Sequence, residues 1–336
     1  MKIPFVSFEK MHDEIKDELT GKFQQVLAKN WFIQGEELAK FEEEYAAYCG
    51  VKYCVGVGNG LDALFLPLKA YGIGTGDEVI VPSNTFIATA LAVSYTGATP
   101  VFVEPTLESF DIDPARIEEK ITDKTKILVM PFPNNPTGAI MEREDLEKIA
   151  EIILEKDLFV ISDEIYSELT YAKEDHVSIA SLPGMKERTV LINGFSKAFA
   201  MTGWRLGYAC APEVILKQML KIHQYAIMCA PTTSQYAAVE ALRNGDEDVQ
   251  HMRESYDQRR RFLINAFEEM HLDCFEPQGA FYMFPSIKRF GMTSDEFATR
   301  LLREEKVAVV PGTAFGDCGE GFLRVSYAYS LKSLKE

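Results

Sequence analysis

The chain has 336 residues, of which 47% are hydrophobic and 26% charged, a composition typical of a globular protein with one large and one small domain. Its 51 acidic and 35 basic residues give a formal net charge of -16, which argues against nucleic acid or an anionic membrane as a partner. The N-terminal sequence has no long apolar core, and no stretch approaches the length of a membrane span, so we expect a cytoplasmic protein.

The cysteines are scattered along the chain. They form no CxxC pair, and no histidine stands at metal-ligand spacing from them. This pattern favours reduced thiols over disulfides or a zinc site, which fits the cytoplasm, and we expect no metal. The cysteines are Cys49, Cys54, Cys210, Cys229, Cys274 and Cys318.

The hydrophobic pattern predicts helices at residues 8–29 and 36–48, followed by a repeated alternation of strands and helices. Helical stretches such as 145–156 separate most of the strands. This alternation predicts an α/β fold with a mostly parallel central sheet, helices on both faces and a site at the carboxyl ends of the strands. Apolar runs place the strands at 78–81, 100–103, 127–131, 159–162, 190–193 and 206–211.

A long charged helix at 246–270 marks the exit from the sheet domain, and the mixed segments after it indicate a smaller α+β domain. We therefore predict three parts of the chain. An N-terminal helical segment at 1–27 packs with the small domain, a large α/β domain spans 28–246, and the small C-terminal domain spans 247–336.

The segment NGFSKAFAMTGWRLGY at 193–208 carries the chemistry. An apolar run at 189–192 predicts a buried strand that leads to Ser196 and Lys197 at the edge of a cleft. The neighbours of Lys197 are small or apolar, and poor solvation lowers the pKa of a lysine toward the nucleophilic neutral amine, which can form a Schiff base. A solvated surface lysine is the alternative.

A phosphate site is predicted near this lysine. Arg205 follows eight residues after Lys197, between two glycines, where its guanidinium can hold a phosphate bidentately. The glycine-rich stretch 55–60 precedes a helix, and the free N–H groups of Gly60 and Leu61 would favour a phosphate, although such a turn is often only a turn. A nucleophilic lysine beside a phosphate site suggests pyridoxal phosphate.

Four residues can contact the flat ring of that cofactor. Phe86 can stack on the ring face, although a core phenylalanine is the alternative. Asn135, in the turn PNNPTG at 133–138, can donate to the phenolic oxygen of the ring. Asp163 ends an apolar strand, where its carboxylate can keep the pyridine nitrogen protonated or simply cap a helix. Tyr166 can also point its hydroxyl at the phenolic oxygen.

These motifs closely resemble the class I, aspartate-aminotransferase-like branch of the fold-type I pyridoxal-phosphate enzymes. The spacings agree with it, because 28 residues separate Asn135 from Asp163 and 34 separate Asp163 from Lys197. The sequence NPTG before the lysine is a further feature of that family. Around the lysine the match covers Ser196, Lys197, Gly203, Arg205 and Gly207.

Arg324 lies inside the apolar stretch 322–327. A lone buried guanidinium is costly unless it meets an anion, so either a structural ion pair or a substrate carboxylate is required. The resemblance implies the second, with Arg324 and Asn135 binding the α-carboxylate of an amino acid. The segment EPQGAFY at 276–282 also matches the small domain of that family.

The front of the chain resembles a different subfamily. Residues 28–125, including GVGNGLDAL and GDEVIVPSNTFIATALAVSYTGATPVFVE, resemble the DegT/DnrJ-type sugar aminotransferases, whereas the chain from 126 onward resembles class I. The histidine that sugar enzymes carry near the lysine is absent. We therefore expect a hybrid chain, recombinant, designed or diverged, whose chemistry follows the class I half.

Together these features predict an aminotransferase that moves an amino group between an α-amino acid and a 2-oxo acid. Lys197 would hold pyridoxal phosphate and act as general base and acid. A nucleotide-sugar aminotransferase is the alternative, and a β-lyase, a racemase or an inactive cofactor-binding scaffold stay open. Fold-type I sites usually lie at a two-fold interface, so we expect a homodimer, with Trp31 and Phe32 placed to reach the partner.

Overall fold

The computed structural model describes residues 9–172 and 176–336. A seven-stranded mixed sheet forms its centre. The strands are β1 (Cys54–Val57), β2 (Glu78–Pro82), β3 (Thr99–Val103), β4 (Thr125–Pro131), β5 (Phe159–Asp163), β6 (Thr189–Gly194) and β7 (Gly207–Cys210). In space they follow the order β1-β7-β6-β5-β4-β2-β3.

The strands β2 to β6 are mutually parallel, whereas β7 is antiparallel to both β6 and β1. Helices follow β2, β3 and β4 and carry the chain back across the sheet, which parallel pairing requires. Between β6 and β7 there is only a loop, so the chain turns back and pairs with β6 in the opposite direction. The carboxyl ends of β4, β5 and β6 therefore meet at one edge of the sheet.

Helices cover both faces of the sheet, as predicted. On β4, Ile127 and Val129 pack toward one helical layer, whereas Leu128 and Met130 pack toward the other. This explains why the strands are continuous apolar runs without polar alternation. The covering helices are α3 (Glu36–Tyr48), α4 (Gly60–Ala70), α5 (Ala88–Thr96), α6 (Pro114–Lys120), α7 (Arg143–Glu155), α8 (Glu213–Ala226) and α9 (Thr232–Asn244).

The C-terminal part forms a second, smaller sheet. Its strands β8 (Tyr282–Met283), β9 (Val310–Pro311) and β10 (Leu323–Ser326) are antiparallel, with β10 in the middle. The long helix α10 (Asp246–Glu269) leads into it, as predicted. Helices α11 (Ser294–Glu304) and α12 (Leu331–Lys335) complete this part.

The predicted helix at 8–29 is interrupted. It forms α1 (Glu9–Glu14) and α2 (Lys16–Lys29) with Ile15 between them, and α2 packs against α9. Residues 1–8 of the predicted N-terminal segment lie outside the described residues. The division into segments 1–27, 28–246 and 247–336 stays a prediction.

All six predicted strands are confirmed, with ends that differ by no more than two residues. The sequence pattern does not predict β1, because its sequence CVGV overlaps the glycine-rich stretch 55–60, which is typical of a turn before a helix. Cys54 of β1 pairs with Cys210 of β7, so a distant partner supplies the hydrogen bonds that make this short segment a strand. The mostly parallel α/β fold is also confirmed.

Candidate active site

Lys197 lies in the turn that follows β6, at the edge where the parallel strands end. Its Nζ atom is 5.6 Å from the ring centroid of Tyr166 and 5.5 Å from that of Phe281. No carboxylate in the described part of the chain forms an ion pair with it. The amine therefore lies against aromatic faces in a half-buried position, the apolar setting expected from its neighbours in sequence.

Asp163 is the last residue of β5 and lies beside this lysine. Burial raises the pKa of its carboxyl to about 7, while the N–H of Ile165 and the positive charge of Lys197 oppose the shift. Its Oδ1 atom accepts the Ile165 N–H at 3.2 Å and closes a turn. No helix begins there in the described residues, so the helix-cap alternative is excluded.

Tyr166 follows that turn and is buried, with 4% of its surface exposed. Its hydroxyl lies 3.2 Å from the hydroxyl of Tyr282. Burial and the neighbouring Tyr282 raise the pKa of Tyr166 well above its usual range, and the charge of Arg324 opposes this only in part. The phenol is therefore neutral at physiological pH and remains a hydrogen-bond donor.

Arg324 projects from β10 of the small sheet toward the large one. Its guanidinium donates to Oδ1 of Asn135 at 3.0 Å. The ring centroids of Tyr282 and Phe315 lie 4.6 Å and 5.1 Å from its Cζ atom. No carboxylate among residues 9–172 and 176–336 forms an ion pair with it, so the alternative of a structural ion pair is excluded there. Most of its donors are left for another anion.

The turn PNNPTG places Asn135 for this contact. Asn134 ties the turn together, because its Oδ1 accepts the hydroxyl of Thr137 at 2.9 Å and its Nδ2 donates to the carbonyl of Asn84 at 3.2 Å. Gly138 has φ 75°, and a Cβ atom there would lie 2.4 Å from Cβ of Pro277. Only glycine allows this approach, so the turn can pack directly against the C-terminal part.

The predicted phosphate site lies where α4 begins. Asn59 caps the helix by accepting the N–H of Asp62 at 3.0 Å, and the N–H groups of Gly60 and Leu61 have no acceptor in the described part. Burial raises the pKa of Asp62, in the first turn of this helix, and the charges of His223 and Arg205 oppose that shift. Positive charge and free N–H groups at a helix start are the donors that a phosphate requires, and the phosphate site stays a prediction.

Two other predicted residues have few contacts. Phe86 is 51% exposed, so the alternative of a core phenylalanine is wrong. No ring contact joins it to another described residue. Ser196 accepts the hydroxyl of Thr202 through its backbone carbonyl at 2.7 Å, while its side chain makes no hydrogen bond within the described ranges. Both remain available for a ligand.

The donor set fits a phosphorylated pyridine aldehyde. Free N–H groups at a helix start and an arginine suit its phosphate, and a lysine amine suits its carbonyl carbon. A strand-end carboxylate and a neutral phenol suit its ring nitrogen and ring oxygen. Within the described residues, no group of three His, Cys, Asp or Glu side chains is arranged to hold a metal ion.

Comparison with known proteins identifies the family. A family model described as aminotransferase class I and II matches residues 24–336. The chain belongs to this aminotransferase family. Enzymes of the family depend on pyridoxal phosphate, in agreement with the donor set above.

Relatives of this aminotransferase include a putative aminotransferase, YugH, of Bacillus subtilis, 49% identical over 298 residues that cover 88% of this chain and 76% of the relative. An aspartate aminotransferase of Pyrococcus abyssi is 46% identical over 278 residues, 82% of this chain and 71% of the relative. Among solved structures, an aromatic aminotransferase of Pyrococcus horikoshii superposes with a TM-score of 0.89 at 39% identity, covering 95% of this chain and 89% of that one.

The family match runs continuously through residues 28–125, the part that resembles sugar aminotransferases. The comparisons therefore give no support for a hybrid origin of the aminotransferase.

Within the described part, no helix is both long enough and apolar enough to cross a bilayer.

Sequence reasoning did not assign a role to three residues of the site. Phe281 and Tyr282 stand in the segment EPQGAFY, which was matched to the small domain, so a signal was present. Phe315 had no such signal, because it ends a short 3₁₀ helix (Gly312–Phe315) outside the recognised motifs and reaches Arg324 only through the fold.

Proposed function

We propose that this aminotransferase moves an amino group between an α-amino acid and a 2-oxo acid, with pyridoxal phosphate attached to Lys197. The observation that carries the proposal is the guanidinium of Arg324, which has no carboxylate partner in the described part and is held beside Asn135. A substrate carboxylate would supply the missing anion. Relatives named aspartate aminotransferase and aromatic-amino-acid aminotransferase support this class of substrate.

The cofactor would be held from three sides. The start of α4 and Arg205 would bind the phosphate, Phe86 would cover one ring face, and polar groups would meet the ring edge. The residues we assign to it are Gly60, Leu61, Phe86, Asn135, Asp163, Tyr166, Ser196, Lys197 and Arg205.

When bound, pyridoxal phosphate supplies a carbonyl carbon that exchanges nitrogen with the substrate and a ring that draws electron density from the α-carbon. The amine of Lys197 would take the proton from the α-carbon at its Nζ atom and later return it. The carboxylate of Asp163 would hold a positive charge on the ring nitrogen, and this charge would offset the cost of burying the carboxylate.

The substrate carboxylate would bind to Arg324 and Asn135. A planar guanidinium can meet both carboxylate oxygens, which fixes the α-carbon in position relative to Lys197. The rings of Tyr282 and Phe315 lie against the guanidinium, which is partly buried and stays accessible to a ligand.

The proposal is tested on protein purified with pyridoxal phosphate. Each amino acid would be added with 2-oxoglutarate or pyruvate, and the new amino acid measured by chromatography. We expect donor-dependent transfer that is lost in Lys197→Ala. Amination of a keto-sugar nucleotide without use of 2-oxo acids would overturn the proposal. The proposal would also be overturned if the protein transferred no amino group and instead released ammonia and pyruvate from the donor, or inverted the configuration of the donor.

A further inference from the structure

Tyr282 lies between the two halves of the proposed site. It belongs to β8 and pairs with Ser326 of β10, the strand that carries Arg324. Its side chain is buried, with 7% of its surface exposed. The hydroxyl of Tyr282 lies 3.2 Å from that of Tyr166, and its ring faces the guanidinium of Arg324 at 4.6 Å.

The hydroxyl of Tyr282 is the hydrogen-bond partner of Tyr166 in the described part of the chain. The two rings meet edge to face, with centroids 6.0 Å apart and planes at 81°. When Tyr166 donates to a ligand oxygen, Tyr282 is the group that can donate to Tyr166. Such a chain of hydrogen bonds makes the Tyr166 hydroxyl a stronger donor.

The ring of Tyr282 acts on a different group. In the described part of the chain, Arg324 makes one side-chain hydrogen bond, to Asn135, and its guanidinium lies over the rings of Tyr282 and Phe315. A guanidinium lying on aromatic rings loses rotational freedom, so its N–H donors point in one direction. The ring contact therefore sets the orientation of the charge, and the hydroxyl is not needed for it.

We propose that Tyr282 is a positioning residue with two separable roles: its hydroxyl strengthens the hydrogen bond that Tyr166 gives to the cofactor ring, and its ring orients Arg324 for the substrate carboxylate. This inference rests on the proposed function and adds a residue to it. The carboxylate site and the ring site are thereby linked through one side chain of the small sheet.

The two roles are separated by two variants of the full chain. Tyr282→Phe removes the hydroxyl and keeps the ring, whereas Tyr282→Leu removes both. The first measurement is a pH titration of the visible absorbance of the cofactor-loaded protein without substrate. In Tyr282→Phe we expect its midpoint to rise by about 0.5 pH units or more, because a weaker Tyr166 donor stabilises the ring oxyanion less.

The second measurement is the dissociation constant of carboxylic acids that lack an amino group, with 3-phenylpropanoate and maleate as the probes. The comparison uses whichever probe the unaltered protein binds. For that probe, the dissociation constant of Tyr282→Phe should lie within about twofold of the unaltered protein's value. Tyr282→Leu should bind it at least about tenfold more weakly. A structural role alone would shift neither measurement selectively. The control is Tyr256→Phe, which removes a hydroxyl from the same aromatic cluster; the ring of Tyr256 packs at a tilt against that of Phe281, with centroids 5.4 Å apart.

An unchanged titration midpoint in Tyr282→Phe, or unchanged probe binding in folded Tyr282→Leu, would overturn the inference. A midpoint that moves equally in Tyr256→Phe would also overturn it. Failure of the proposed function has another signature, because a protein that transfers no amino group to any 2-oxo acid can still show the shift in midpoint and the loss of probe binding.

Discussion

Arg324 donates to the side-chain oxygen of Asn135 across 3.0 Å, although 189 residues separate them in sequence. Asn135 belongs to the turn after β4 of the large sheet, and Arg324 belongs to β10 of the small sheet. This hydrogen bond therefore joins the two sheets at the predicted carboxylate site. A ligand bound there would contact both.

Replacing Arg324 by alanine should lower kcat/KM at least about tenfold for every amino acid that the protein accepts. A charge-assisted hydrogen bond to a carboxylate is commonly worth about 1.5–3 kcal/mol, and the variant leaves the substrate carboxylate without its partner. Steady-state kinetics with a panel of amino acids measure this loss.

A matched control is Arg300→Ala, since Arg300 is exposed and pairs with Glu304 on the surface of α11. Its kinetics should stay unchanged. Amines without a carboxylate should react equally slowly in the Arg324→Ala variant and in the unaltered protein. Equal kcat/KM for amino acids in both proteins would remove Arg324 from the site.

Asp163→Asn should fold and bind the cofactor but transfer amino groups slower by a factor of about 100 or more, because an amide cannot hold a positive charge on the ring nitrogen. Single-turnover absorbance changes with a saturating donor report this step. The melting temperature checks that the fold is intact. Near-normal turnover would mean that the carboxylate only closes its turn through Ile165.

Arg205→Ala should weaken the binding of pyridoxal phosphate by about tenfold, since one charge-assisted contact to the phosphate is lost. Equilibrium dialysis gives the dissociation constant. Pyridoxal, which has no phosphate, is the internal control, because its affinity should be the same with and without Arg205. If both ligands bind more weakly, the arginine acts on the fold and not on the phosphate.

Asp111 should make the protein less stable as pH rises. It is buried, its Oδ1 atom has no hydrogen-bond partner in the described part, and burial raises its pKa from 3.8 to about 8. At about pH 3 and below, under the ordinary pKa of 3.8, the carboxyl is mostly protonated in both the folded and the unfolded chain, so little stability is lost. Between pH 3.8, the ordinary pKa of the carboxyl, and about pH 8, its pKa in the folded chain, only the unfolded chain ionises. The folded state therefore loses stability until the pH passes about 8.

Asp111→Asn removes this pH dependence. Its free energy of unfolding should therefore exceed that of the unaltered protein by roughly 5 kcal/mol at pH 9 and nearly equal it at about pH 3. Urea unfolding at both pH values measures the difference. Asp113→Asn, at the partly exposed cap of α6, should show no such gain, and an equal gain there would contradict the assignment to Asp111.

The aromatic pair Trp31 and Phe32 should contribute to a homodimer. Both side chains are about half exposed, at 52% and 46%, beside the start of α3. We expect a dimer at micromolar concentration by sedimentation velocity, and a shift toward monomer when both are replaced by serine. Val214→Ser, which removes another exposed apolar side chain, serves as the control. A monomeric unaltered protein would contradict this prediction.

Much of the large sheet could be predicted from sequence because its strands are buried on both faces. A strand such as β4 must then be apolar at consecutive positions, and that local pattern is visible without the fold. The residues predicted for the cofactor also carried local signals, since Asp163 ends such a strand and Lys197 lies in the turn after another. The end of an apolar strand, and the side chains that stand there, can be recognised within a short window of sequence.

The contacts between the two sheets were decided only by the tertiary structure. The pairing of Tyr282 with Tyr166 spans 116 residues, and the rings that face Arg324 come from two other segments of the C-terminal part. The same holds for β1, whose short sequence becomes a strand through its pairing with β7. These contacts depend on how separate elements pack, and the energy of such packing is not encoded in any single stretch of residues.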